Sequence, residues 1–241
     1  MKTRIAFCWS GGKDSALALY RLMRDEAFEV VSLLTTCSEE HQRVSMHGVR
    51  LELIDAQARS IGLPVAKVFV GKSSNEEYSR KMAEALLHLK AQGVTAIGFG
   101  DIFLEDLRAW REEQLQRIGL SAIFPLWKIE SDQLLHDFIS EGFRSRVCCA
   151  SDAYLDETVL GRDIDWEFIN ALPSNVDPCG ERGEFHSFTY AGPIFAERLG
   201  LEIGETVYRP VEEPLDRPGA AKGFWYCDLL LAQNGVDSAQ T

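Results

Sequence analysis

Two hydrophobic patterns alternate along the first half of the chain. Continuous, β-prone apolar runs occupy residues 5–9, 28–35, 65–70, 94–100 and 122–127. Between these runs, apolar residues recur at helical spacing and predict helices over residues 16–23, 49–61, 75–91 and 105–118. Strands that alternate with helices at this spacing predict βαβ units. The expected fold is therefore α/β, with a mostly parallel sheet and helices on both of its faces.

The pattern changes near residue 128. Beyond it we expect helices over residues 131–140 and 166–171, and strands over residues 143–149, 184–190, 206–210 and 224–230. Glycine and proline separate most of these segments, which is typical of a smaller α+β domain. The pattern predicts a first domain over residues 1–128, a second over residues 129–232, and a polar tail at 233–241 that we expect to be frayed.

The segment Ser-Gly-Gly-Lys-Asp-Ser at residues 10–15 lies between the first apolar strand and the first helix. A strand that turns through glycine into a helix directs several backbone N–H groups at one point, and such a point binds phosphate. The expected nucleotide contacts are Ser10, Gly11, Gly12, Lys13, Asp14 and Ser15. Asp14 is also the expected Mg²⁺ ligand. Neither a Walker A nor a G-x-G-x-x-G spacing is present, so these two familiar phosphate loops are excluded. The alternative to a phosphate site is an incidental Gly-Gly turn between a strand and a helix.

A second candidate motif lies in the C-terminal half, at Asp177-Pro-Cys-Gly-Glu-Arg-Gly-Glu-Phe-His-Ser187. Glu181, Glu184 and His186 are the candidate catalytic residues, and strand alternation places Glu184 and His186 on one face. An ordinary imidazole pKa near neutrality would let His186 accept a proton. The alternative is a solvated acidic hairpin.

Two further residues follow predicted strands. Asp101 ends the strand at 94–100, and we expect it near the nucleotide because ligands bind at the carboxyl ends of parallel strands. A helix N-cap is the alternative for Asp101. His47 follows the second strand and is either a nucleotide contact or a surface residue. Glu105, Arg108 and Glu112 share one helix face, where a solvated ion-pair ladder is at least as good an interpretation as a ligand site.

Composition narrows the functional classes. The 241 residues carry a net charge of −12, which argues against a nucleic-acid-binding protein. The six cysteines form no C-x-x-C pair, so neither a zinc ribbon nor a redox dithiol is expected. No apolar run approaches the roughly 20 residues needed to span a bilayer. We expect a cytoplasmic protein with no membrane contact.

The loop at residues 10–15 resembles the SGGxDS signature of the PP-loop ATP pyrophosphatases, and the chain as a whole resembles the diphthine–ammonia ligase family. The resemblance extends over residues 4–195. It rests on SGGKDS, on Met46-His47, on Gly100-Asp-Ile102 with Arg108 and Glu112, and on Cys179-Gly-Glu-Arg-Gly-Glu-Phe-His186. It implies a HUP-like (Rossmann-like) ATP domain followed by a smaller substrate domain.

The resemblance also implies a reaction. ATP, with Mg²⁺, adenylates a substrate carboxylate, and ammonia then displaces AMP to form an amide. The ligases that modify translation factor 2 read Glu-Gly-Gly-Glu-Tyr-Glu-Thr where this chain has an arginine and a histidine at positions 182 and 186. That departure points to a bacterial branch with another acceptor. The expected partners are a small-molecule or protein carboxylate and ammonia, and a homodimer is a further expectation. The alternatives are an ATP or AMP sensor without turnover and a PP-loop enzyme that thiolates RNA.

Overall fold

A computed structural model of the chain describes residues 2–71, 75–211 and 220–232. The first sheet contains six strands: β1 (Thr3–Cys8), β2 (Phe28–Ser38), β3 (Arg43–Val44), β4 (Val65–Val70), β5 (Ala96–Gly98) and β6 (Ser121–Ile123). Five of them run parallel in the order β4-β2-β1-β5-β6, and β3 pairs antiparallel with the end of β2. The predicted parallel sheet is confirmed.

Helices cover both faces of this sheet. They are α1 (Lys13–Arg24), α2 (Leu51–Ile61), α3 (Asn75–Ala91) and α4 (Glu105–Arg117). Because side chains of a strand alternate between faces, Phe7 packs in one buried cluster with residues of α1 and α2. Ala6 packs in the other, with residues of α3 and α4. The chain therefore forms a three-layer Rossmann-like unit.

The C-terminal half forms a smaller antiparallel sheet in the order β8-β7-β10-β9. Its elements are α5 (Ser131–Ser140), β7 (Arg144–Ser151), α6 (Trp166–Ala171), β8 (Phe185–Ala191), β9 (Leu201–Pro210) and β10 (Gly223–Leu231), with a short 3-10 helix at Glu157–Val159. The predicted α+β unit is confirmed. The division at residue 128 stays a prediction, since one buried cluster runs through both sheets.

A partly exposed charge cluster also joins the two sheets. Arg50 binds Asp228 of β10 with two nitrogens, and Arg43 of β3 binds the same carboxylate at 2.8 Å. These hydrogen bonds hold the pKa of Asp228 down at about 2. The antiparallel sheet is thus attached to the segment that precedes α2.

Several element bounds differ from the prediction. β2 continues to Ser38, beyond its predicted end at residue 35, and pairs there with β3, which was not predicted. Residues 124–127 form a turn instead of a strand. β9 begins at Leu201, five residues earlier than expected. The prediction missed this start because the segment Leu-Glu-Ile-Gly-Glu lies on an exposed edge of the sheet and lacks an apolar pattern. The predicted frayed tail lies outside the described residues. Within the described part of the chain, no helix has the length and apolarity to span a bilayer.

Candidate active site

The loop at residues 10–15 turns between β1 and α1, as predicted. Gly11 has a φ of 80°, and the helix begins at Lys13. A Cβ at Gly11 would lie 2.8 Å from the Gln57 side chain, so this turn requires glycine. Gly100 is equally constrained, since a Cβ there would lie 3.0 Å from the backbone nitrogen of Ser15. The end of β5 therefore lies directly against the first turn of α1.

The two serines of the loop bind each other. Ser10 Oγ and Ser15 Oγ are 2.7 Å apart, and Ser10 Oγ also accepts the N–H of Gly12 at 3.2 Å. Ser15 Oγ donates to the Gly12 carbonyl oxygen at 3.2 Å. This network closes the loop around the N-terminus of α1, where the helix dipole favours an anion.

Lys13 and Asp14 form the charged pair of the loop. Lys13 is almost fully buried, and its Nζ donates to Asp14 Oδ2 at 2.8 Å and to the carbonyl oxygen of Cys179. Burial lowers the pKa of Lys13, but the neighbouring acids, led by Asp14, outweigh that effect and leave it raised. Burial raises the pKa of Asp14 despite the ion pair. The positive charge of Lys13 therefore lies at the boundary between the two halves of the chain.

Strand β8 lies against the same loop. Ser187 Oγ accepts the backbone N–H of Lys13 at 3.2 Å, and the N–H of Thr189 donates to the Gly11 carbonyl oxygen at 2.8 Å. The C-terminal sheet therefore packs against the loop at residues 10–15. Ser187 and Thr189 were not expected to contact it.

Gln57 is a further residue that the sequence analysis missed. It lies on α2, is fully closed to solvent and donates to the carbonyl oxygens of Gly11 and Thr189, at 3.0 and 2.6 Å. Its Oε1 accepts the indole N–H of Trp9 at 2.9 Å. One side chain therefore links α2, the loop and β8.

Glu184 holds the second motif in shape. It is fully buried, and its two oxygens accept the backbone N–H groups of Asp177 and Arg182, both at 2.9 Å. Glu184 precedes β8, and its carboxylate points back into the turn at residues 177–184. The geometry favours a positioning role for Glu184 over a direct substrate contact.

Glu181 extends from this turn to the parallel sheet. Its Oε1 accepts the backbone N–H of Ile102 at 2.9 Å, just after β5. Burial, reinforced by the negative charge of Asp14, raises the pKa of Glu181 to about 7. A carboxyl group with this pKa can both donate and accept a proton near neutral pH.

His47 and His186 meet beside the loop. Their ring centroids are 4.5 Å apart, and a Cβ at Gly12 would lie 3.0 Å from His47 Nε2. His47 Nδ1 and His186 Nε2 are buried and lack a hydrogen-bond partner among the described residues. Burial, with the charge of Lys13, lowers the pKa of His186 to about 4, and burial and His186 lower the pKa of His47. The near-neutral pKa assumed for His186 is therefore wrong, and both rings are uncharged at pH 7.

Asp101 lies at the same edge of the sheet and is paired. Its carboxylate is 3.0 Å from the Nε of Arg111, whose guanidinium lies 4.4 Å from the centre of the Phe99 ring. Arg111 was not singled out from the sequence. Arg108 binds Glu112 at 2.8 Å and Glu105 binds Lys128 at 2.8 Å, both on the exposed side of α4.

The residues present fit a Mg²⁺ ion only together with phosphates. Within the described residues, no three histidine, cysteine or acidic side chains cluster to form a complete metal site. Mg²⁺ is commonly held by one or two carboxylates plus substrate phosphates, which does not require such a cluster. Asp14 fits this role, because its side chain is 28% exposed at the start of α1 and within the loop that is predicted to bind phosphate.

Comparison with known proteins identifies the family. The diphthamide synthase N-terminal domain matches residues 1–122, and the diphthamide synthase C-terminal domain matches residues 130–213. A diphthine–ammonia ligase from Danio rerio is 24% identical over 229 residues, which cover 85% of this chain and 88% of the relative. The human diphthine–ammonia ligase is 25% identical over 229 residues, or 85% of each chain.

A third relative, the diphthine–ammonia ligase of Schizosaccharomyces pombe, is 26% identical over 218 residues. The match covers 82% of this chain and 36% of that longer protein. The two matches together contain both candidate motifs and all of the strands except β10 and the last residue of β6. The chain therefore belongs to the diphthamide synthase family, and it is an ATP-dependent ligase that forms an amide.

Proposed function

We propose that the protein activates a substrate carboxylate with ATP at residues 10–15 and transfers the acyl group to ammonia. The observation that carries the proposal is the contact between the two motifs. Lys13 of the phosphate loop binds Asp14 and the Cys179 carbonyl oxygen, which belongs to the acidic turn of the second sheet. A nucleotide on the loop and an acceptor on the turn would therefore be neighbours.

In the first step a carboxylate oxygen of the acceptor attacks the α-phosphorus of ATP. The bond from that phosphorus to the oxygen bridging the α- and β-phosphates breaks, and pyrophosphate leaves with the electron pair. Lys13 and the N-terminus of α1 stabilise the negative charge of the leaving group. Asp14 would hold Mg²⁺, which when bound neutralises phosphate charge. The products are an acyl-adenylate and pyrophosphate.

In the second step ammonia attacks the acyl carbon, and the carbon–oxygen bond to AMP breaks. The nitrogen must lose one proton. We assign Glu181 as the base that accepts this proton, because a pKa of about 7 suits a general base at neutral pH. His186, with a pKa of about 4, is a weaker base and would instead orient the acceptor with His47. Asp101 would contribute to the site indirectly, because its ion pair holds the Arg111 side chain next to Asp101 at the end of β5.

The names of the relatives support ammonia as the nitrogen donor, since they are diphthine–ammonia ligases. For this chain we propose the same reaction class with a carboxylate acceptor. Diphthine is the first acceptor to test, and small carboxylates are the second. An RNA-thiolating enzyme is not favoured by the family or by the net charge of −12.

The test measures AMP and pyrophosphate in reactions with ATP, Mg²⁺ and ammonium. One arm supplies translation factor 2 carrying diphthine, and the other supplies a fractionated pool of small carboxylates. We expect pyrophosphate release that requires ammonium and one of these acceptors, and that is lost in Glu181→Gln. Glu205→Gln, a change on exposed β9, is the matched control. ATP binding without any pyrophosphate in either arm would instead support a sensor.

A further inference from the structure

A cavity of about 470 Å³ lies where the two sheets meet, beside the ion cluster of Asp228. Residues from the segment 38–50 form one wall, and residues of β9 and β10 form the other. A volume of this size is typical of a site for a small molecule. Within the described part of the chain, none of the residues assigned to the reaction lines the cavity.

Positive charge exceeds negative charge in the lining of this cavity. Among the described residues that line it, three are arginines and two are carboxylates: Arg43, Arg50, Arg209, Glu205 and Asp228. The chain as a whole is acidic, with a net charge of −12. A local excess of positive charge in an acidic protein favours an anionic ligand.

Asp228 neutralises only part of this positive charge. Its carboxylate is 2.8 Å from a nitrogen of Arg43 and 2.7 Å from a nitrogen of Arg50, so two guanidinium groups share one carboxylate. Arg43 uses a single nitrogen, Nη1, to bind both Asp228 and the carbonyl oxygen of Gly48. Its Nε and Nη2 form no hydrogen bond within the described residues, and they remain available to a ligand.

Arg209 supplies a second cation from the opposite wall. It lies on β9, it is exposed, and its side chain forms no hydrogen bond or ion pair with any described residue. An unpaired guanidinium presents a planar fork of N–H donors that can bind a carboxylate or a phosphate with two hydrogen bonds. An oxyanion in the cavity would therefore meet donors from both walls.

The cavity and the candidate active site share one face of the antiparallel sheet. His186 pairs with Cys149 on β7, and Cys149 pairs with Tyr226 on β10, which lines the cavity. Residues paired directly across strands point to the same face, and neighbouring strands lie about 4.8 Å apart, so His186 and Tyr226 are roughly 10 Å apart. His47 lies against His186, and a Cβ at Gly48 would lie 2.6 Å from Tyr226. The two places are thus neighbours but separate, and both can be occupied at once.

We propose that this cavity binds an oxyanion, the phosphate or carboxylate group of a small molecule, between Arg209 on one wall and Arg43 and Arg50 on the other. Phosphate and carboxylate share the oxygen geometry that a guanidinium recognises with two hydrogen bonds. The site is distinct from the loop at residues 10–15, so it does not depend on the proposed function.

The experiment is a calorimetric titration with two probes, inorganic phosphate and succinate, at constant ionic strength. Because the loop at residues 10–15 is itself expected to bind phosphate, the titration is done with and without saturating Mg²⁺ and an α,β-methylene analogue of ATP, which fills the loop and resists cleavage. We expect one probe ion to bind per chain while the analogue is present. The probe that binds more tightly distinguishes a phosphate from a carboxylate as the group that the site recognises.

Arg209→Ala should weaken this binding roughly ten-fold or more, because it removes a charge-assisted pair of hydrogen bonds. Arg209→Lys keeps the charge but loses the fork, and should weaken it less. Arg144→Ala is the matched control, since Arg144 is also exposed and lies on a strand of the same sheet, outside the cavity. It should change the affinity for neither probe.

Equal binding of both probes by Arg209→Ala and the wild type would overturn the inference. Failure of both probes to bind the wild type would overturn it as well. Failure of the ATP analogue to bind, while a probe still binds in a manner that requires Arg209, would reject the proposed function and support the oxyanion site. The two failures are therefore distinguishable.

Discussion

The side-chain nitrogen of Gln57 lies 3.0 Å from the carbonyl oxygen of Gly11, in a position fully closed to solvent. The same amide accepts the indole N–H of Trp9 and donates to Thr189. Helix α2 therefore fixes the conformation of the phosphate loop and its contact with β8. Two sets of contacts therefore stabilise the loop: the hydrogen bond from Gln57, and the hydrogen bond between its own residues Ser10 and Ser15.

Gln57→Leu should destabilise the protein and weaken nucleotide binding. The substitution removes three buried hydrogen bonds. The Gly11 carbonyl oxygen keeps the N–H of Thr189, but the Trp9 indole N–H and the Thr189 carbonyl oxygen lose the Gln57 amide, and each such loss costs about 1–3 kcal/mol. We expect the free energy of unfolding in urea to fall by at least about 2 kcal/mol. Gln116→Leu, on the exposed side of α4, is the control and should change it by less than about 0.5 kcal/mol. Equal stability of Gln57→Leu and wild type would contradict the assigned role of this residue.

Asp14→Asn should remove the dependence of ATP affinity on Mg²⁺, because a neutral amide is a poor ligand for a hard cation. In the wild type we expect Mg²⁺ to strengthen ATP binding, and in the variant we expect little change on its addition. Calorimetric titrations with Mg²⁺ and with a chelator measure both. Asp106→Asn, an exposed change on α4, is the control and should behave as the wild type. Strengthening by Mg²⁺ that persists in Asp14→Asn would place the metal elsewhere.

Glu184→Gln should abolish amide formation while ATP still binds. The wild-type carboxylate accepts hydrogen bonds from two backbone N–H groups. In the variant, the NH₂ group of the amide faces one of these N–H groups, and two donors cannot bind each other, so the turn at residues 177–184 must deform. We also expect a loss of stability of about 1–3 kcal/mol. Glu202→Gln on exposed β9 is the control for both measurements. Unchanged stability together with lost activity would indicate a direct contact with substrate instead of a positioning role.

The Asp228 cluster should make stability depend on pH at the acid end. Its folded-state pKa of about 2 lies below the ordinary value of 3.8, so the stabilisation is present above pH 3.8 and is lost as the pH falls through 2. Asp228→Asn should therefore cost about 2 kcal/mol at pH 7 and little at pH 2. Urea unfolding at both pH values measures the difference, with exposed Asp132→Asn as control. A cost that does not vary with pH would exclude this ion cluster as its source.

The parallel sheet and the turn at residues 10–15 between β1 and α1 could be predicted because their signals are local. Buried parallel strands appear as continuous apolar runs, and the loop is a contiguous segment between a strand and a helix. The second motif, at residues 177–187, could be recognised in the sequence for the same reason. Its residues are adjacent in sequence, although the roles of Glu181 and Glu184 differ once the turn is folded.

The contacts between distant segments could not be predicted. Gln57 is an ordinary helical glutamine in the sequence, and only the packing of α2 brings it to Gly11, 46 positions away. Arg111 had no local signal that would pair it with Asp101. The pKa of His186 depends on its burial and on the charge of Lys13, and neither can be read from strand alternation.

The central claim is cleavage of ATP between its α- and β-phosphates during activation of a carboxylate. The most direct test supplies ATP labelled with ³²P at the γ-position, together with ammonium and an acceptor that supports turnover, and separates the products by chromatography. We expect the label in pyrophosphate and an equal amount of AMP, with both lost in Asp14→Asn. Label in inorganic phosphate accompanied by ADP would mean that an acyl phosphate forms instead, and would contradict the adenylation mechanism.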